Sequence, residues 1–256
     1  MDIWQVAVIA AAAFAAGLIN SIAGGGTLVS FPALIWIGRD AVLANATSTV
    51  ALWPASVAGA YGFRRELEGG RRWLLLFGAP SLLGGVLGAL LLLQTPPGLF
   101  ARLVPYLILF ATLLIALQDP IARRLNSKGR EEEKPSRGWQ AGAALFQFFV
   151  GVYGGYFGAG IGILMLAALG LLGFSDIHRM NALKNILALG INGVAAALFV
   201  FAGAVNWSDV LVMTFAAIAG GYCGARLAYR LGRRFVRLAV ILIGLLMGVS
   251  LFLAET

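Results

Sequence analysis

The sequence predicts an all-α integral membrane protein built of two inverted repeats of about five helical segments each, with a short glycine-broken hairpin opening each repeat. Three observations carry this expectation: long apolar runs with little charge, one polar stretch that divides them into two sets, and ordered matches between the sets. Hydrophobic residues make up 60% of the 256 positions and charged residues 12%, about half the charged share of a soluble domain. Runs such as 73–93 and 235–254 are long enough as helices to cross a hydrocarbon core of about 30 Å. They lack the alternation of about ten-residue β-barrel strands.

Taken in order, the expected spans are 4–24, 27–38, 41–62, 73–93 and 99–118, then 139–157, 161–173, 178–203, 208–229 and 235–254. The opening Met1-Asp2-Ile3-Trp4 has no basic region and no cleavage site follows, so the first span is expected to be retained. The stretch from Gln118 to Gly138 gathers Arg123, Arg124, Lys128, Arg130, three glutamates and Lys134 beside Gly129 and Pro135, the composition of a solvated linker. The expected organisation is therefore a first transmembrane repeat over 1–118, a cytoplasmic linker over 119–138 and a second repeat over 139–256.

Sliding the second set back by 134 to 136 positions places Gly151 on Gly17, Gly158-Ala159-Gly160 on Gly24-Gly25-Gly26, Trp207 on Trp73, Gly220-Gly221 on Gly84-Gly85, and Gly224 on Gly88. An ordered set of this kind marks an internal repeat. Cytoplasmic loops retain Lys and Arg. The 63–72 loop and the 226–237 stretch are rich in Arg and the linker holds Arg and Lys, whereas 94–98 and 203–209 have neither. The third span then runs inward and its counterpart at 178–203 outward, so the repeats are inverted and both termini lie outside the inner membrane. Inverted repeats with a midplane site are a recurring transporter architecture.

The net charge of +8 follows from this topology, and nucleic acid is excluded as a partner. Cys223 is the only cysteine, so no intramolecular disulfide exists; beside Gly220, Gly221 and Gly224 it reads as a small packing residue. His178 is the only histidine. It reads as an interfacial residue, because a metal site needs further ligands that no Cys or carboxylate cluster supplies. No nucleophile, base and orienting group stand out, so no catalytic residue is expected.

Segments 27–38 and 161–173 would rise only about 18 Å as helices, too little to cross. Each follows a glycine cluster, Gly24-Gly25-Gly26 or Gly158-Ala159-Gly160, so each repeat is expected to open with a hairpin whose tip lies inside the membrane. Irregular backbone there must be buried in protein or line a wet cavity. Free N–H groups at the start of the following half-helix make a partly positive anion site. No phosphate-loop lysine follows, and no cofactor is implied. The glycines at 84, 85, 88, 220, 221 and 224 read instead as close-packing positions.

Asn181, Lys184, Asn185 and Asn192 fall within a sector of about 100° on one helix. A lysine at membrane depth is a functional candidate, here as the charge for a bound anion. It reads equally as a snorkelling side chain about six residues from the cytoplasmic helix end. The matching first-half helix offers Asn45, Thr47, Ser48, Thr49 and Ser56. The candidate substrate-binding set is Gly25, Gly26, Gly158 and Gly160 for backbone approach, Asn20, Thr49 and Asn185 for hydrogen bonds, and Lys184 for charge.

The run GLINSIAGGGT from Gly17 to Thr27, then Phe31-Pro32-Ala33-Leu34, Gly38 and Ala44 to Thr49, together with GVYGGYFGAGIG from Gly151 to Gly162, Asn181 to Asn185, Asn192 and Phe201 to Trp207, resembles the TauE/SafE sulfite exporter family, also grouped as toluenesulfonate uptake permeases. The likeness covers nearly the whole chain. Ala159 stands where many members carry Pro, and Leu166 where Pro32 has its counterpart, departures that bear on the shape of the second hairpin. The resemblance implies transport of sulfite, sulfonates or related sulfur-containing anions; the residues alone reach only a small anion. The alternatives are an anion channel or a membrane subunit of a multi-protein transporter. Expected partners are a small anionic substrate and the lipid bilayer, and a homodimer stays open because a bundle this small gains from a second copy.

Overall fold

The computed structural model describes residues 2–22, 25–62, 71–126, 137–171, 177–231 and 233–255. Among these described residues ten helices follow one another: α1 (Ile3–Ile22), α2 (Thr27–Trp36), α3 (Ala41–Gly62), α4 (Arg71–Gln94), α5 (Pro97–Asn126), α6 (Arg137–Tyr156), α7 (Ile161–Leu171), α8 (Ile177–Phe201), α9 (Trp207–Leu231) and α10 (Arg233–Glu255). No strand occurs among the described residues. The all-helical expectation holds, with most boundaries moved by one to three residues. The larger change is at α5, which continues to Asn126 instead of stopping at 118. The charged residues there mark the end of the apolar stretch and not the end of the helix. Residues 127–136 of the expected linker, Ala23 and Gly24 of the first glycine cluster, and the 63–70 and 172–176 loops lie outside the described residues.

Five described helices contain windows long and apolar enough to cross a membrane: 3–21 in α1, 72–94 in α4, 97–117 in α5, 179–201 in α8 and 235–253 in α10. Outward-facing Leu83, Phe149, Phe215, Leu242 and Leu246 are exposed, as expected where hydrocarbon is the solvent. The half-helices α2 and α7 have 10 and 11 residues and rise about 15–17 Å each.

The halves are interlaced. Helix α1 packs most extensively on α9, and α4 on α6; α3 crosses α8, and α5 crosses α10. Moving each helix five places along the chain turns the α1–α9 pair into α6–α4 and returns the two crossings to themselves. Small residues make the paired contacts possible. A Cβ at Gly17 would strike the Ala217 carbonyl, and one at Gly220 the Phe14 carbonyl. In the other pair, a Cβ at Gly84 would strike the Phe148 carbonyl, at Gly88 the Val152 carbonyl, and at Gly155 the Gly85 carbonyl. Lipid-solvated helices gain no hydrophobic drive from association, so close backbone approach of this kind holds them together. The packing reading of these glycines is thereby met. Cys223 is exposed. It lies about 60° around α9 from Gly220, which takes it off the face that packs on α1.

Polar side chains add a few ties between helices. Buried Gln147 donates through Nε2 to Ser81 Oγ at 2.9 Å between α6 and α4, and Trp53 Nε1 donates to the Leu189 carbonyl at 3.1 Å where α3 crosses α8. Trp4, Trp36 and Trp207 are exposed toward one end of the bundle, and Trp139 is exposed at the start of α6. These are positions that amphipathic rings favour at membrane interfaces.

Candidate anion site at the hairpin tips

The two tips are closed by different chemistry. In the first, the Asn20 Oδ1 of α1 accepts the Gly26 N–H at 2.8 Å. Gly25 takes φ +91°, open to glycine without steric penalty. Gly26 is in the right-handed region at φ −57°. It must be small for another reason: a Cβ would strike the Ala16 carbonyl and lie 2.9 Å from Asn20 Cγ. The Leu28 and Val29 N–H groups then close on the Gly25 and Gly26 carbonyls at 3.0 and 2.9 Å.

In the second tip, Gly158 and Gly160 take φ +80° and +78°. The Tyr153 hydroxyl donates to the Ala159 carbonyl at 2.7 Å, with its ring edge-on to Phe110. Here the side chain engages a carbonyl, not an N–H. The last turn of α6 is held from across the bundle: Asn45 Nδ2 on α3 donates to the Tyr156 carbonyl at 3.0 Å, and the Tyr156 hydroxyl lies 3.3 Å from Thr95 Oγ1. Fully buried Phe31, Phe100 and Phe157 pack edge to face above this tip.

Both tips reach the same stretch of α5. A Cβ at Gly25 would lie 2.5 Å from Ile115 Cδ1, and one at Gly160 would lie 3.5 Å from both the Ala111 carbonyl oxygen and Leu114 Cδ1. The polar stripe of α8 runs along the second hairpin. The Cβ position of Gly158 is 3.5 Å from Asn192 Oδ1, and that of Gly162, in the first turn of α7, is 3.1 Å from Lys184 Cδ. The lysine stem thus lies on the half-helix, half-buried, while Nζ donates to Asn181 Oδ1 at 3.1 Å. Asn185 is half-buried in the same stripe.

Gly25, Gly158 and Gly160 therefore form the tips, and Lys184 lies beside the second one, at Gly162. Two other candidates are already engaged within the protein. The Asn20 oxygen holds Gly26, and the Thr49 hydroxyl donates to the Asn45 carbonyl of its own helix at 2.9 Å, so Thr49 has no hydrogen to offer an anion in this arrangement. Tyr153 and Asn45, which shape the second tip, carry no local signal beyond an ordinary aromatic or amide in an apolar run. Among the described residues no group of three or more His, Cys, Asp or Glu gathers to hold a metal ion.

An ion pair lies away from the tips. Arg39, between α2 and α3, donates through Nε and Nη2 to Asp209 Oδ2 and Oδ1 at 2.7 and 3.0 Å. The hydrogen bonding that Arg39 donates to the Asp209 carboxylate raises its pKa, and burial opposes the rise.

Residues 9–251 match the family model described as Sulfite exporter TauE/SafE. The chain is 28% identical over 245 residues to the "Probable membrane transporter protein" of Haemophilus influenzae, covering 94% of this chain and 92% of that one. It is 27% identical over 252 residues to "Probable membrane transporter protein ORF9" of a Sinorhizobium species, covering 96% and 91%. It is 28% identical over 241 residues to "Probable membrane transporter protein YfcA" of Escherichia coli K12, covering 93% and 86%. No solved structure gives a significant match.

Proposed function

Since the chain belongs to the sulfite exporter TauE/SafE family, we propose that this multi-pass membrane transporter carries a small sulfur-containing anion, sulfite or a sulfonate, as a secondary transporter in the inner membrane. The membrane transporter class rests on the family, on the relatives' names and on five helices long and apolar enough to span. The sulfur in this reading rests on the family's description, and the observation that carries the anion is the lysine stem lying along the first turn of α7, opposite Gly162.

Three favourable elements converge there. The start of α7 directs partial positive charge and N–H groups toward the tip. Glycines at 158, 160 and 162 let a ligand approach the backbone. Lys184 and Asn185 add a cation and an amide donor from α8. An anion entering this site meets a cation at membrane depth, where an ionisable side chain is by default a functional candidate. One partner of the ammonium is the neutral amide of Asn181, a dipole with which a full negative charge competes favourably where the dielectric is low.

The exchange of helix pairs under a five-place shift supports the repeat, and the end-to-end contacts support its inversion. Gln5 at the start of α1 lies 3.4 Å from the Ile37 carbonyl beyond α2, and Thr47 near the start of α3 accepts the Asn206 N–H beyond α8. The start of α1 and the end of α8 thus belong to one face. With the arginine-rich 63–72 and 226–237 stretches assigned to the cytoplasm, that face is the outer one.

The test is thermal stabilisation of the detergent-purified protein by sulfite, thiosulfate, sulfate, short sulfonates, carboxylates and chloride, since a ligand selective for the native state raises apparent stability. Stabilisation by a sulfur anion, lost in Lys184→Met, is expected. Equal stabilisation of the parent and Lys184→Met would remove the lysine from the site, and no response to any anion would overturn the reading.

A further inference from the structure

The Arg39–Asp209 pair is the most completely built polar feature away from the tips. Asp209 is fully buried, and Arg39 is 22% exposed. The pair is bidentate, the geometry in which guanidinium and carboxylate bind each other most specifically. Its two members come from different halves, 170 positions apart.

The surroundings hold both partners in place. Gly38 takes φ +89° and Arg39 N–H closes on the Leu34 carbonyl at 3.0 Å, ending α2. One residue later the Asp40 carboxylate caps α3 by accepting Val42 N–H at 2.9 Å. On the other side the Asn206 Oδ1 accepts the Asp209 N–H at 3.2 Å, and Asn206 N–H donates to buried Thr47 Oγ1 at 3.0 Å. Thr47 is two residues from Asn45, which holds the last carbonyl of α6 at the second hairpin tip. One turn of α3 therefore touches both the ion-pair corner and the tip.

The arrangement is one-sided. At the repeat offset, the positions matching Arg39 are 173–175 and those matching Asp209 are 73–75, and neither set contains a charged residue. The neighbouring Arg72 is turned to Gln140 at 3.3 Å and to the Trp73 ring. Asp176 matches Asp40, the capping residue, at an offset of 136.

We propose that the Arg39–Asp209 pair, seated through Asn206 on Thr47, is a releasable lock that holds the α2–α3 corner of one half to the α8–α9 corner of the other and closes the second hairpin tip from the outer face. The proposal rests on the transport reading for its purpose. Its physical logic is that of a two-state contact. Removing one partner strands the other as a buried charge, which is far more destabilising than losing the pair as a unit, so the closed arrangement loses population to one in which that charge reaches water.

The experiment uses the full chain with Cys223→Ser and a reporter Asn192→Cys beside Gly158. It measures the labelling rate by a membrane-impermeant maleimide from the outer face in spheroplasts and from the inner face in inverted vesicles. Arg39→Ala and Asp209→Ala are each expected to raise the outer rate about tenfold, the factor that 1.4 kcal/mol represents. The exchanged pair, Arg39→Asp with Asp209→Arg, is expected to return close to the parent rate. Folded single variants labelled at the parent rate from both faces would overturn the lock, as would an exchanged pair labelled as fast as the singles. Faster labelling from the inner face alone, with rescue by the exchange, supports the lock while reversing the orientation. If the single variants do not fold, Thr47→Val removes only the Asn206 hydrogen bond. A faster rate then supports the lock, and the parent rate overturns it. Labelling needs no substrate, so the outcome is independent of the anion panel.

Discussion

The two hairpin tips occupy matching places in the repeats and are finished in opposite ways. At the first, the side chain of Asn20 accepts the N–H of Gly26, the N-cap of its half-helix. At the second, the side chain of Tyr153 donates to the carbonyl of Ala159, just before its half-helix. Each bond spans six residues, yet one consumes a donor at the helix start and the other consumes an acceptor. The first tip thereby gives up the Gly26 N–H to a side chain, whereas at the second a side chain takes up a carbonyl and a lysine stem lies alongside. The comparison teaches that two tips in matching places can be finished by local hydrogen bonds of opposite polarity, and the contrast makes the second the tip to test for a ligand.

The largest effect that tests this contrast is steric. In Gly26→Leu the new side chain starts against the Ala16 carbonyl, a backbone atom that cannot yield, and loss of folded protein in detergent chromatography is expected. In Gly162→Ala the new methyl faces the Lys184 stem at 3.1 Å, which can turn aside. That variant should purify as the parent does and lose anion-dependent stabilisation, because the displaced ammonium no longer lies over the α7 turn. Equal stability of the two variants would break the contrast.

An intermediate effect is expected at Asn20. Asn20→Ala leaves the Gly26 N–H without its acceptor and should destabilise the protein by about 1 kcal/mol, as cap removals do. The anion-induced increment in melting temperature should remain. Its loss would show that the first tip also binds. The smallest effect belongs to Tyr153→Phe, which keeps the ring against Phe110 and removes only the hydroxyl. A loss of about 0.5–1.5 kcal/mol is expected, together with weaker anion stabilisation as the tip loosens. Unchanged anion affinity would sharpen the contrast by limiting Tyr153 to a structural tie.

Much of this fold was legible from one-dimensional pattern, because a membrane helix announces itself by length and apolarity and a repeat by its offset. The glycines at 84, 88 and 220 read correctly as packing positions, since small residues spaced four apart line one face of a helix. The short spans around Gly25 and Gly160 also stood out, because a half-helix cannot cross the bilayer and its irregular start must be sheltered. What resisted reading was partnership. Arg39 and Asp209 look like ordinary solvated loop charges, and nothing local joins residues 170 positions apart. Asn45 looked like a ligand donor and instead holds the Tyr156 carbonyl, while the Thr49 hydroxyl bonds its own helix. Composition records that a donor exists. Only the fold records where its hydrogen goes.

The interlacing of the halves has a consequence for how the chain is made. Helix α1, made before α9, finds its principal neighbour there, and α4 finds its own in α6. Early segments must therefore wait in the bilayer, with the notches at Gly17 and Gly84 still open to lipid, until segments from the other half arrive. A chain truncated after α5 would present both notches as unfilled surfaces for proteases and chaperones to recognise.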